Sequence, residues 1–167
     1  MLITPLLLAV VFVPMLVEAR VASVNERGQR ALGGIEPPGD VYRIMSVAYP
    51  AIFLVMIAEG AWRPGYEQLT IGAVIFVAAK LLKWWAILTL GPAWTFRVIV
   101  RPGAPLVAAG PYRWLRHPNY VGVAGELAGV ALMSGARVAG PVGTAVFVVL
   151  MLRRIRVEER ALSAAGR

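Results

Sequence analysis

The chain alternates long apolar runs with short polar connectors, and the runs are longer than soluble strands require. A bilayer core about 30 Å thick needs about 20 apolar residues in a helix. Five runs approach that length, at about residues 2–17, 44–62, 69–90, 120–133 and 138–152. The pattern predicts an all-α integral membrane protein with about five transmembrane helices in a single domain, residues 1–167. The first run holds Pro5 and Pro14 and lacks the basic stretch that precedes a cleaved signal peptide, so it is read as a helix. Only Ser134-Gly135-Ala136-Arg137 separates the last two runs, which therefore form a tight helical hairpin. Lys80, Lys83, Trp84 and Trp85 read as an interfacial anchor near the end of the third run.

The polar connectors are unequal. With five spans, 15 of the 17 Lys and Arg residues fall on one side, and only Arg63 and Arg137 on the other. The positive-inside rule then puts the N-terminus outside and the C-terminus in the cytoplasm, as in a bacterial inner membrane. That asymmetry accounts for the formal net charge of +8 without nucleic acid as a partner. At 59% hydrophobic and 16% charged, the chain is no disordered segment, fibrous repeat or ordinary soluble enzyme. It has no Cys and one His, which excludes thiolate chemistry, disulfides and a Cys or His-cluster metal site. Residues 18–43 contain Gly28, Gly33-Gly34 and Pro37-Pro38-Gly39 and read as a flexible connector.

The single His stands in the segment Gly110 to Gly122, directly before Pro118. A residue before Pro avoids the helical region, so His117 is expected in an extended or turn conformation at the mouth of the fourth helix. Asn119 is the expected cap. The first-turn amides, with Arg113 and Arg116 beside them, favour an anion or carboxylate there. Asn119, Gly122, Glu126 and Gly129 share one helix face, and Gly125 with Gly129 permits close helix packing. Packing does not explain Glu126: an acidic residue inside a span marks a functional site by default, or else is neutral or paired with an Arg from a neighbouring helix. In the tail, Arg154 and Glu158 are adjacent on one helical face, and Arg156 and Arg160 lie on another. The hairpin returns this tail to the membrane edge that carries His117. The neighbourhood offers Arg for anions, carboxylates for a cation or amine, and the aromatics Tyr112, Trp114 and Tyr120.

Gly110-Pro111-Tyr112-Arg113-Trp114-Leu115-Arg116-His117-Pro118-Asn119-Tyr120-Val121-Gly122, with the distal Arg154-Ile155-Arg156-Val157-Glu158-Glu159, resembles the isoprenylcysteine carboxyl methyltransferase family. The first segment resembles its R-H-P-x-Y-x-G signature and the second its R-x-x-x-E-E ending. The likeness extends loosely upstream through Trp94-Thr95-Phe96-Arg97-Val98-Ile99 and Asn25-Glu26-Arg27, and points to the small bacterial branch. The resemblance implies an integral membrane enzyme that uses S-adenosylmethionine without a Rossmann domain. A cytoplasmic loop and a C-terminal helix would enclose that cofactor. It implies that Tyr112, Arg116, His117, Pro118, Tyr120 and Glu159 line the cofactor site. Arg154 and Glu158 would lie where cofactor and substrate meet, and Arg97 and Glu126 are the candidates for substrate contact.

The substrate expected from the resemblance is a lipophilic molecule drawn from the bilayer. The chain uses 15 Arg against 2 Lys, a composition like that of GC-rich bacterial proteomes, where prenylated protein tails are not expected. The bacterial branch also resembles enzymes that O-methylate long-chain alkylpyrones. The acceptor is therefore read as an acidic oxygen, a carboxylate or a pyrone hydroxyl. The alternatives are a phospholipid or amine N-methyltransferase, a reductase relative binding a nicotinamide cofactor, and a non-catalytic membrane scaffold. Membrane lipids are the expected surroundings; no metal is expected.

Overall fold

The structure is a computed structural model that describes residues 3–63 and 65–165. Five helices form it: α1 (Ile3–Ala31), α2 (Tyr42–Trp62), α3 (Leu69–Leu90), α4 (Pro118–Ser134) and α5 (Ala139–Ala164). Two short 3-10 turns, Gly91–Ala93 and Gly110–Arg113, flank the long connector between α3 and α4. Among the described residues no strand forms, and one isolated antiparallel bridge joins Ile35 to Val100. The integral membrane, all-α class follows. α1, α2 and the stretch Leu69–Ala93 are long and apolar enough to cross a membrane.

Helix α1 runs to Ala31, not to about residue 17, and Leu2 of the expected helix lies outside the described residues. The apolar signal ends near Val17, but residues 18–31 hold no proline, so hydrogen bonding carries the helix onward. It stops where Gly33 takes a positive φ of 80°. The flexible connector expected over 18–43 is therefore mostly helix. What remains of it is tied down by the Ile35–Val100 bridge and by Glu36, which receives Arg30 at 2.5 Å and Arg97 at 2.8 Å. Those two guanidinium groups hold the Glu36 carboxyl below its ordinary range, against the raising effect of its partial burial.

The span and tail expected after residue 138 are one helix, α5. The hairpin before it turns on Gly135, whose φ of 68° is left-handed. Glu59 of α2 accepts hydrogen bonds from the first amides of α5, Val138 N–H at 3.0 Å and Ala139 N–H at 2.7 Å.

The α4 glycines serve packing, as their spacing suggests. A Cβ on Gly129 would lie 2.8 Å from the Phe76 backbone nitrogen and 2.9 Å from the Gly72 carbonyl oxygen of α3. A core of Phe53, Met56, Leu127 and Val130 is sealed between α2, α3, α4 and α5. Outward, Leu54, Val74, Leu81, Val142 and Val149 are exposed, a belt suited to lipid tails.

Lys80 and Lys83 correct the reading of an interfacial anchor. Lys83 is 3% exposed, and both ammonium groups turn into the bundle. Lys80 pairs with Glu18 at 2.8 Å and Glu126 at 3.0 Å; Lys83 pairs with Glu18 at 2.6 Å and Glu126 at 3.3 Å. Tyr49 of α2 donates its hydroxyl to Glu126. An unpaired charge in hydrocarbon is costly, so each of these cations lies on a carboxylate.

Candidate functional site

Helix α4 begins at Pro118, whose missing N–H costs nothing in a first turn. His117 before it sits at φ −133°, ψ 62°, outside the helical region as the proline requires. Asn119 does not cap the helix. Its side-chain oxygen instead accepts the Trp94 indole N–H at 3.3 Å, which ties α4 to the connector.

The α4–α5 hairpin does bring the His117 loop and the tail together. His117 Nε2 lies 3.4 Å from Glu159 Oε1, and Arg116 reaches the same carboxylate at 3.7 Å. The Tyr120 hydroxyl donates to Glu158 at 3.0 Å and accepts from Arg154 Nε at 2.8 Å. Arg154 and Glu158 therefore meet through a phenol, not as a solvated ion pair on one helix. Arg156 and Arg160 are exposed, as their face implied.

Arg154 is 6% exposed and held from three directions. Besides Tyr120, it donates to the Phe96 carbonyl and lies 3.4 Å from Asp40 Oδ1. The Asp40 side chain is itself only 3% exposed. It accepts the Tyr42 amide at 3.1 Å and the Val98 amide at 2.9 Å. Sequence reasoning missed Asp40, which stands among the turn-forming residues Pro37-Pro38-Gly39 and looks like part of a loop. The one signal in the sequence was an acidic residue immediately before a span.

These groups surround one cavity of about 1130 Å³. Arg97, Tyr112, Arg116, His117, Tyr120, Arg154, Glu158 and Glu159 line it. Arg97 is paired with Glu26 at 3.6 Å as well as with Glu36. Pro118 is buried behind the wall, where it shapes the His117 turn. Glu126 is not on the wall, and its partners are two lysines and Tyr49. Burial, with the Glu158 charge adding to it, pushes the Tyr112 phenol up, so Tyr112 remains a neutral donor at physiological pH. Beyond this polar end the wall turns apolar, with Phe12, Met15, Met45, Val123 and Phe147. Such a cavity can hold a charged molecule at one end and an apolar chain at the other. Among the described residues no group of three or more His, Cys, Asp or Glu is placed to hold a metal ion.

A family model for isoprenylcysteine carboxyl methyltransferases matches residues 71–164, which include the His117 loop and the Glu158 tail. The chain belongs to the isoprenylcysteine carboxyl methyltransferase family. That membership carries a membrane methyltransferase-like function. The chain is 34% identical over 160 residues to the uncharacterized protein YpbQ of Bacillus subtilis, covering 94% of this chain and 95% of that one. It is 26% identical over 147 residues to an uncharacterized protein of Haemophilus influenzae, covering 84% and 86% respectively. No solved structure matches it.

Proposed function

We propose that this protein is an S-adenosylmethionine-dependent methyltransferase that methylates an acidic oxygen, a carboxylate or pyrone hydroxyl, on a lipophilic substrate. The observation that carries this reading is the single cavity that joins a His117–Tyr120–Arg154–Glu158–Glu159 network to an apolar slot between helices. Five spans, with the C-terminus and the polar end of the cavity in the cytoplasm, fit this reading. The ends of α1, α3 and α5 and the start of α4 then lie where a soluble cofactor arrives.

The donor groups fit the proposed cofactor. When bound, S-adenosylmethionine supplies an electrophilic sulfonium methyl. Glu158 and Glu159, with side chains 32% and 43% exposed, face its positive charges. Arg116, 88% exposed at the mouth, suits its carboxylate. His117 and Tyr112 supply hydrogen bonds and flat surface beside them.

Arg154 orients the acceptor. A guanidinium has five N–H donors; bonds to Tyr120, Phe96 and Asp40 engage three, which leaves two for an acceptor oxyanion. An ionised oxygen is already nucleophilic, so positioning supplies most of the rate, with effective molarities reaching about 10⁵–10⁸ M in oriented systems. The bilayer delivers the lipid through the apolar slot.

The test is direct. Purified protein in detergent is titrated with S-adenosylmethionine and with its demethylated product, and membranes are incubated with a labelled methyl donor. Binding of either ligand, and label in an extractable lipid methyl ester or methyl ether, support the proposal. Binding of neither ligand refutes it, and label confined to phospholipid amines replaces O-methylation with N-methylation.

A further inference from the structure

The cavity has a second polar station that the methylation site leaves unused. Glu18, Tyr49 and Lys83 line its wall within the helical bundle. From Tyr120 to Glu126, the partner of Lys83, is six residues of α4, or roughly 9 Å at 1.5 Å per residue. Val123 and Phe147 line the wall as well, so the surface runs from polar to apolar to polar, with Phe12 and Met15 in addition. Glu18, Lys80, Lys83 and Glu126 carry two positive and two negative charges, each within 3.3 Å of an opposite one.

Packing alone does not call for this quartet. Buried ion pairs are commonly replaceable by apolar residues of similar volume without loss of stability. Charges within a span instead mark a ligand path by default. The quartet is balanced, so an additional ion would upset it, whereas a neutral dipole would not. Lys83 Nζ has three donors. The carboxylates of Glu18 and Glu126 take two, and the ammonium otherwise lies over the Tyr49 ring, 5.5 Å from its centroid. An oxygen acceptor in the cavity would meet that remaining donor.

We propose that the Lys83–Glu18–Tyr49 wall is a specificity subsite for a neutral oxygen, a carbonyl or hydroxyl, borne by the substrate along its chain, away from its methyl-accepting oxygen. This inference rests on the methyltransferase reading for the position of the acceptor. The substrate class it selects is an acidic lipid with an oxygenated chain, in preference to a plain hydrocarbon tail.

The full chain in lipid nanodiscs is loaded with radiolabelled hexadecanoic acid. The label is displaced by keto-hexadecanoic acids whose carbonyl is moved stepwise along the chain. One interior position is expected to bind about tenfold tighter than the plain acid, the gain from one hydrogen bond to a charged group. In Lys83→Met/Glu18→Gln, which keeps the Lys80–Glu126 pair, that preference is lost and plain-acid binding stays. A diazirine at the preferred position is expected to label Glu18, Tyr49 or Lys83, which locates the oxygen even where the double variant does not fold. A flat position profile, no bound label, a preference surviving the double variant, or labelling elsewhere overturns the inference. Binding here needs no methyl donor. A protein that shows the preference yet transfers no methyl refutes only the proposed function, and one that methylates lipid with a flat profile refutes only the subsite.

Discussion

Asp40→Asn tests whether the Arg154 geometry is what the site depends on. The carboxylate of Asp40 accepts three N–H groups: Tyr42 at 3.1 Å, Val98 at 2.9 Å and Arg154 at 3.4 Å. An amide of the same shape keeps one acceptor oxygen and turns an NH₂ toward a donor. The negative charge opposite a guanidinium of 8% side-chain exposure is also lost. Removing one partner of a buried pair costs about 3–5 kcal/mol when nothing else holds the other charge. Here the Phe96 carbonyl and the Tyr120 hydroxyl still hold it, so the loss is nearer that of one charged hydrogen bond, about 1.5–3 kcal/mol. If the bond matters mainly in the transition state, kcat falls about tenfold to a hundredfold. The assay follows methyl transfer at saturating donor, with thermal unfolding in detergent as the control for folding. KM for the methyl donor is expected to hold, since Asp40 is remote from Glu158 and Glu159 in the network. Asp40→Glu, which restores the charge, is expected to recover part of the rate. A folded Asp40→Asn protein with native kcat, beside an inactive Arg154→Lys protein, would sink the argument that Asp40 positions Arg154.

Further outcomes follow from the same contacts. Lys83→Met leaves Glu18 short of a cation and is expected to lower thermal stability more than Lys83→Met/Glu18→Gln does; equal losses would mean the quartet is not coupled. Gly129→Ala drives a methyl against the Phe76 backbone and is expected to cost about 1–3 kcal/mol, read from unfolding midpoints. Tyr120→Phe removes the hydroxyl shared by Arg154 and Glu158 and is expected to lower kcat with the protein still folded, measured by methyl transfer. Glu36 has a lowered folded-state pKa, so its contribution is present above the ordinary value of 4.5 and is lost as pH falls through the folded one. Glu36→Gln should therefore flatten the acid limb of stability by less than about 1 kcal/mol, because Glu36 and its partners are partly exposed; an unchanged limb counts against the Arg30–Glu36–Arg97 tether.

The sequence carried the site unevenly. The approach of His117 to Glu159 was readable because a four-residue turn between two helices fixes where the second helix returns, and Gly135 makes that turn sharp. The length of α1 was not readable from hydropathy, which registers where lipid ends and says nothing of where hydrogen bonding ends. Lys80 and Lys83 look like snorkelling anchors because their partners Glu18 and Glu126 lie on other helices, 62 and 43 residues away in the hydrogen-bonded pairs. Asp40 was hidden for the same reason: its partners Val98 and Arg154 are 58 and 114 residues distant. Local pattern thus yields the elements, whereas the charge partners depend on which helices meet.

The irregular segment from Gly91 to Val100 shows how such distant partners build the cavity wall. Irregular backbone at a membrane's edge must have its polar groups satisfied, and here few strand or helix partners are available. Side chains do the work instead. Asn25 donates to the carbonyls of Gly91 and Trp94 at 3.1 and 2.8 Å, and Gln29 to that of Pro92 at 2.9 Å. Glu26 accepts the Arg97 amide at 3.2 Å, Asp40 accepts that of Val98, and Arg154 donates to the Phe96 carbonyl. The continuation of α1 past the apolar run is therefore the scaffold on which the cavity wall is hung. The polar pocket is built by lengthening a membrane helix and hydrogen-bonding a loop to it. The same bonds that satisfy the loop fix Arg154, so the stability of this wall and the aim of its guanidinium are one property, and a change in either should be visible in the other.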